Sequence, residues 1–346
     1  MTESANGRYP RWPWIAVATA AWSAAYGLLG LLWALGVPGF PFGSADRSAV
    51  LTLFPDAEAR PGGLVIAILG ASGASFAVLV AVAGRDARLR WAVWAAAIIA
   101  VALIVVVPDY RVLLTVAYLP LITLGAPFGW PPDVDLSLVL PWPVLNQFVL
   151  IVGGALWAGL AVHASGRMAS GWGWLRRIGP AATAVAVGVP LVYAATRYAW
   201  AAGVPVGLSP DLYRRGQEIG LWAVGAGLAT VAVTGALLTL GLVQDWGVRF
   251  PRWLPLVGGH PVPTNLAVIP ALAAAFVITS AGTMFVRLVA TGRLAEAFVF
   301  ADDVGVAALA PELLWPLWGV ALALAAVSYR ERRLSPPDPA SAARPN

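Results

Sequence analysis

Eight apolar runs, each about as long as a bilayer is thick, limit what this chain can fold into. They lie near 13–36, 62–84, 91–108, 144–164, 178–202, 217–243, 264–288 and 311–329. A helix needs about 20 such residues to cross the hydrocarbon core. The runs therefore read as spanning helices, and the chain as an all-α polytopic membrane protein. Composition agrees: 60% of residues are hydrophobic and 11% charged, against about 25% charged in a soluble domain. The first run follows Arg8 and Arg11 and is longer than the apolar core of a signal peptide, so it reads as a first anchor.

Several chemistries are excluded by residues the chain lacks. Without cysteine there are no disulfides, thiolate metal sites or thiol nucleophiles. All 22 basic residues are arginine, so a phosphate loop with its lysine and a lysine Schiff base are both excluded. His163 and His260 fall on distant segments, and zinc ordinarily takes at least three protein ligands, so no metal or other cofactor is implied. The net charge is only +5 and no basic run is long, which points to arginines at one membrane face rather than to nucleic acid.

A ninth apolar piece, 112–128, is short and interrupted by Pro120, Gly125 and Pro127. If it does not cross, and the N-terminus is cytoplasmic, fourteen arginines fall on inner segments and five on outer loops. If it crosses, the second half inverts and the bias is lost. Eight spans are therefore expected rather than nine, with 112–128 re-entrant or at the outer interface. Both termini are then cytoplasmic, the membrane is the plasma membrane, and 330–346 forms a disordered tail.

The frame of "YGLLGLLWALGVP" (26–38) recurs in "YAATRYAWAAGVP" (193–205). Tyr26, Trp33, Gly36 and Pro38 align with Tyr193, Trp200, Gly203 and Pro205. A small-residue span, a basic inner loop and an acidic outer segment follow each copy. Two repeated four-span modules are expected, 1–170 and 171–329. Aromatics suit the membrane interface, and Gly-Val-Pro ends a helix because the residue before proline avoids the α region.

Arg197 shares a helix face with Tyr193 at i−4 and Trp200 at i+3. It reads either as an interfacial anchor or as a cation in an aromatic outer vestibule that binds an anion. Asp109 with Arg111 reads as an outer ion pair. Asn146 and Gln147, at a helix start, can hydrogen-bond a solute, cap the helix or bond neighbouring helices; Glu312 aligns with Gln147. Ala67, Ala71 and Ser75 form a small-residue stripe for close helix packing. Asp133, Asp135, Asp302 and Asp303 read as solvated-loop acids, with a calcium site as the alternative. In the inner loop 244–263, Trp246, Phe250 and Trp253 interleave with Arg249 and Arg252. That pattern suits anionic headgroups at the inner face, or the docking of a protein partner.

"WGVRFPRW" before a span, with "FGWPP" and "PWPVLNQ" in the first half, resembles uncharacterised multi-span integral membrane proteins of high-GC actinobacteria. The resemblance implies a multi-span membrane fold and brings no activity or site residues with it. Function stays open among three readings. The first is a transporter or permease-like protein for a neutral, apolar or small anionic solute. The second is a non-catalytic scaffold, regulator or lipid-interacting subunit. The third is a membrane-embedded enzyme, for which no catalytic constellation is visible.

Overall fold

The structure is a computed structural model that describes residues 14–83, 90–125, 127, 140–165, 173–298 and 301–334. Arg8, Arg11, Arg85, Arg88, Arg167, Asp133, Asp135 and the tail beyond Leu334 lie outside the described residues. The described chain is helical, with only two isolated β-bridges. Seven helices are long and apolar enough to span a bilayer, and one bent pair raises the number to eight. The chain is an all-α polytopic membrane protein. It divides into two compact units, Met1–Ala169 and Ser170–Asn346.

Unit 1 contains α1 (Trp14–Ala34), α2 (Ala59–Ala83), α3 (Arg90–Val101), α4 (Tyr110–Gly125) and α5 (Trp142–Ser165). α1 packs along α2 and α5, and α5 packs along α3. The α1–α2 contact is close because glycine faces glycine. A Cβ on Gly70 would sit 2.4 Å from the Gly27 Cα, and one on Gly30 would sit 2.7 Å from the Ala67 backbone nitrogen. The expected stripe is thus used at Ala67 and Ala71, with Gly63 and Gly70 making the nearest approaches. α3 runs on as one π turn, Ala102–Val106. The chain then bends by 67° into α4. Pro108 has no amide hydrogen to continue the helix. Asp109 restarts it, its Oδ1 accepting the Arg111 backbone N–H at 2.9 Å.

α4 is therefore not a continuation of α3. The Gln147 side chain near the start of α5 meets Asp109 at the start of α4, and the Trp142 indole donates to the Gly39 carbonyl just beyond α1. α3 thus ends, and α5 begins, at the end of unit 1 where α1 finishes.

Unit 2 contains α6 (Gly173–Ala201), α7 (Pro210–Glu218), α8 (Leu221–Leu240), α9 (Thr264–Ala290), α10 (Leu294–Ala297), α11 (Val306–Leu313) and α12 (Trp315–Leu334). α6 packs along α8 and α12, and α12 packs along α9. This is the pairing order of the long helices in unit 1: first on second and fourth, third on fourth. α1 and α6 also end identically. Gly36 (φ 95°) and Gly203 (φ 99°) are left-handed. In each unit the glycine N–H reaches the carbonyl three residues back, Trp33 or Trp200. The following valine N–H reaches five back, Leu32 or Ala199. These are the paired bonds of a Schellman cap. Trp33 and Trp200 face inward, 3% and 7% exposed. The aromatics expected at the lipid interface are buried in protein because each belongs to a ring cluster: Tyr26, Trp33, Phe40 and Phe42 in unit 1, Trp200, Tyr213 and Trp222 in unit 2.

Candidate functional site

Each unit buries an arginine with carboxylates, and the two clusters differ in completeness. In unit 1 the 67° bend sets Asp109 and Arg111 against the loop after α1. The Arg111 guanidinium meets Asp46 through Nη1 at 2.9 Å and Nη2 at 2.7 Å. It meets Asp109 through Nε at 2.9 Å and Nη2 at 2.6 Å. The Gln147 amide donates to Asp109 Oδ2 at 2.8 Å, and its carbonyl oxygen accepts the Asp109 backbone N–H at 3.0 Å. Ser48 N–H donates to Asp46 Oδ1. All four carboxylate oxygens thus accept hydrogen bonds, and the Asp109 side chain is 0% exposed. Beside this cluster the Tyr26 hydroxyl donates to Asn146 Oδ1 at 2.9 Å, while the buried Asn146 amide nitrogen has no partner among the described residues. Asn146 and Gln147 therefore bond neighbouring elements rather than cap α5.

In unit 2 the helical spacing of Tyr193, Arg197 and Trp200 is realised as a clamp. The Arg197 Cζ lies 4.5 Å from the Tyr193 ring centroid and 4.1 Å from that of Trp200. Such stacking is strongest where water is excluded. Arg197 Nη2 donates to Glu312 Oε1 on α11, and Nη1 donates to Thr196 Oγ1. The two charged side chains are 11% and 9% exposed. Neither the vestibule nor the anchor reading of Arg197 names a protein counter-ion, and the structure supplies one. Glu312 is the partner, at the position that the expected repeat would align with Gln147.

The unit 2 pair is not saturated. Glu312 Oε2 is buried with no hydrogen-bond partner among the described residues, and so is the Trp315 indole N–H, three residues on. Trp315 packs edge-to-face on Tyr193 and Phe285, which fixes its ring. One acceptor and one donor thus stand close in sequence beside an ion pair of zero net charge. An unmet buried polar atom costs about 1–3 kcal/mol.

Of the loop acids, Asp302 is exposed and Asp303 is partly exposed but has partners. The Asp303 carboxylate accepts from Ser209 Oγ at 2.8 Å and from Arg215 Nη2 at 2.8 Å, fastening α7 to the loop before α11. Among the described residues no three of His, Cys, Asp and Glu converge as a metal site. No family model, curated protein or solved structure matches this chain.

The basic–aromatic segment divides in two. The Trp246 ring lies on Gly241, and Phe250 is half-buried, its backbone paired with His260. Trp253, Arg249 and Arg252 point outward. Asp46 and Trp315 carry no signal in the sequence: Asp46 sits in a loop 65 residues from Arg111, and Trp315 is one of 17 tryptophans.

Proposed function

We propose that the protein is a transporter of small anions, with Arg197 and Glu312 as the site that takes an anion together with a proton. The observation that carries this is the contrast between the two clusters. A purely structural ion pair is expected to be closed, as Asp46, Arg111 and Asp109 are. Glu312 instead keeps one buried oxygen without a partner. Ionisable side chains within spans are costly and usually serve a solute or proton path.

The mechanism follows from charge. With Glu312 ionised, Arg197 is neutralised and has no net attraction for an anion. A proton on Glu312 Oε2 removes that neutralisation and leaves a guanidinium held between two rings. An uncompensated buried charge costs about 3–5 kcal/mol, so the cation then favours an anion strongly. The Trp315 N–H is an additional donor for that anion's oxygen. Proton and anion each raise the affinity for the other by the same factor.

Duplication of a four-helix module belongs to the same reading; what supports it is the shared helix pairing and the matched caps at Gly36 and Gly203. In this reading one copy keeps a closed polar latch and the other the open site.

The test uses purified protein in proteoliposomes loaded with a pH-sensitive dye. An inward gradient of chloride, nitrate or phosphate should acidify the lumen for at least one of the three. Glu312→Gln should bind that anion without moving protons, and Arg197→Ala should do neither. If no probe moves protons and none shifts the melting temperature of the wild type, the scaffold reading replaces this one.

A further inference from the structure

The segment between α8 and α9 is built, not loose. Its two arms pair through Phe250 N–H to the His260 carbonyl at 3.0 Å and Val262 N–H to the Val248 carbonyl at 2.9 Å. Gly259 N–H closes the tip onto the Phe250 carbonyl at 2.9 Å. Its base is fastened to the last turns of α12. The Tyr329 hydroxyl donates to the Gly247 carbonyl at 2.6 Å, Arg333 Nη2 donates to the Val262 carbonyl at 2.9 Å, and Arg332 Nη2 donates to the Leu242 carbonyl.

What this frame holds out is apolar. Trp253 is 79% exposed and Leu256 98%. Leu256 has φ 69°, the one non-glycine residue with positive φ among the described residues. A left-handed leucine costs about 1–2 kcal/mol, and such strain persists where the surroundings impose it. The apolar side chains are thus presented in a fixed geometry. Arg249 and Arg252 flank them and are exposed. The same end of unit 2 carries Arg176, Arg177, Arg330, Arg332 and Arg333, with Asp245 and Glu331 the only opposing acids among the described residues.

We infer that residues 249–259 form a preformed tip that seats in an anionic lipid leaflet, Trp253 and Leu256 entering the acyl boundary and Arg249 and Arg252 meeting headgroup phosphates. Charge complementarity selects this occupant. Seven arginines against two acids at the end of a bundle of apolar helices match the negative surface of a leaflet, and tryptophan prefers that depth. Arg332 and Arg333 direct donors to loop carbonyls, which leaves Arg249 and Arg252 for the lipid.

Because the chain has no cysteine, Leu256→Cys and Trp253→Cys can each carry a single polarity-sensitive fluorophore. Both side chains are exposed, so neither substitution tests folding. Full-length protein is placed in nanodiscs of phosphatidylcholine alone, and of phosphatidylcholine with phosphatidylglycerol. The expected result is blue-shifted emission, protection from aqueous iodide and quenching by nitroxide-bearing lipid. Each effect should be larger with phosphatidylglycerol, and Arg249→Gln with Arg252→Gln should remove the increment. Red emission quenched by iodide in both discs overturns the proposal. Protection from iodide without nitroxide quenching also overturns it, in favour of a protein contact. Lipid quenching of equal strength in both discs overturns its anionic part.

Discussion

Arg197 and Glu312, 115 residues apart, are joined in an ion pair that uses only one of the two carboxylate oxygens. Two rings hold the guanidinium, so the pair is rigid on the arginine side. In the proposed mechanism Glu312 is the member that takes the proton.

This asymmetry gives a double-mutant test. Arg197→Leu alone leaves Glu312 buried without a counter-ion and should cost about 3–5 kcal/mol. Adding Glu312→Leu should recover most of the loss, because two apolar side chains replace two buried charges. Thermal unfolding of all four proteins in one detergent measures the coupling. Equal and additive losses would show that the pair contributes no joint energy.

The unit 1 latch should behave as a tether. Asp46 is the only acid of the loop after α1 that reaches Arg111 among the described residues, and the loop's short 3-10 turns lie on either side of it. Asp46→Ala should raise hydrogen exchange at the amides of 46–52 while α1 and α2 stay protected. Asp109→Ala should do more, since it also removes the cap of α4 and orphans Gln147; loss of an N-cap alone costs about 1 kcal/mol. Unchanged exchange in the loop after Asp46→Ala would mean that the aromatic cluster holds it instead.

The sequence expresses the membrane fold well because crossing a bilayer demands long apolar runs, and such runs are visible one residue at a time. α9 was expected near 264–288 and spans Thr264–Ala290. The weaker boundaries have local causes. α6 begins at Gly173 rather than near 178 because Pro180 is accommodated within the helix, and α8 starts at Leu221 because Gly220 takes a left-handed turn after α7. The site was half legible. Tyr193, Arg197 and Trp200 share a face by spacing alone, but their counter-ion is set by which helices pack, and no local pattern encodes that. Asp46 carries no local signal for the same reason, and the sequence marks Glu312 only by its alignment with Gln147.

The glycines make the packing testable. Gly70→Val places methyls where the Gly27 backbone already is, and overpacking of that kind costs at least about 1–3 kcal/mol. Gly227 and Gly235 on α8 have nothing within 4 Å of a built Cβ. Alanine at either should be neutral or stabilising, by up to about 1 kcal/mol from helix propensity. Melting temperatures that fall equally for Gly70→Val and Gly235→Ala would contradict the α1–α2 interface.

Gly36→Ala and Gly203→Ala test the matched caps. Each forces a Cβ into the left-handed region at a position with open space around it, so the cost is conformational, about 1–2 kcal/mol. Similar losses in the two variants, measured by unfolding in the same detergent, are the expected outcome. A loss at one glycine and not the other would show that only one of the two caps stabilises its helix.

The course of α4 can be settled by labelling two positions of unit 1. Val37 lies just past the cap of α1, and Leu140 lies just before α5. The Trp142–Gly39 hydrogen bond and the Gln147–Asp109 contact put both at one end of the unit. Single cysteines at 37 and 140 need no cleared background, since the chain has none. In intact cells an impermeant maleimide should label both or neither, and in inverted vesicles the pattern should reverse for both together. Labelling of one alone in intact cells, with the other appearing only after permeabilisation, would mean that α4 crosses once. The number of spans would then be odd, and the arginine bias that places both termini in the cytoplasm would no longer hold for the second unit.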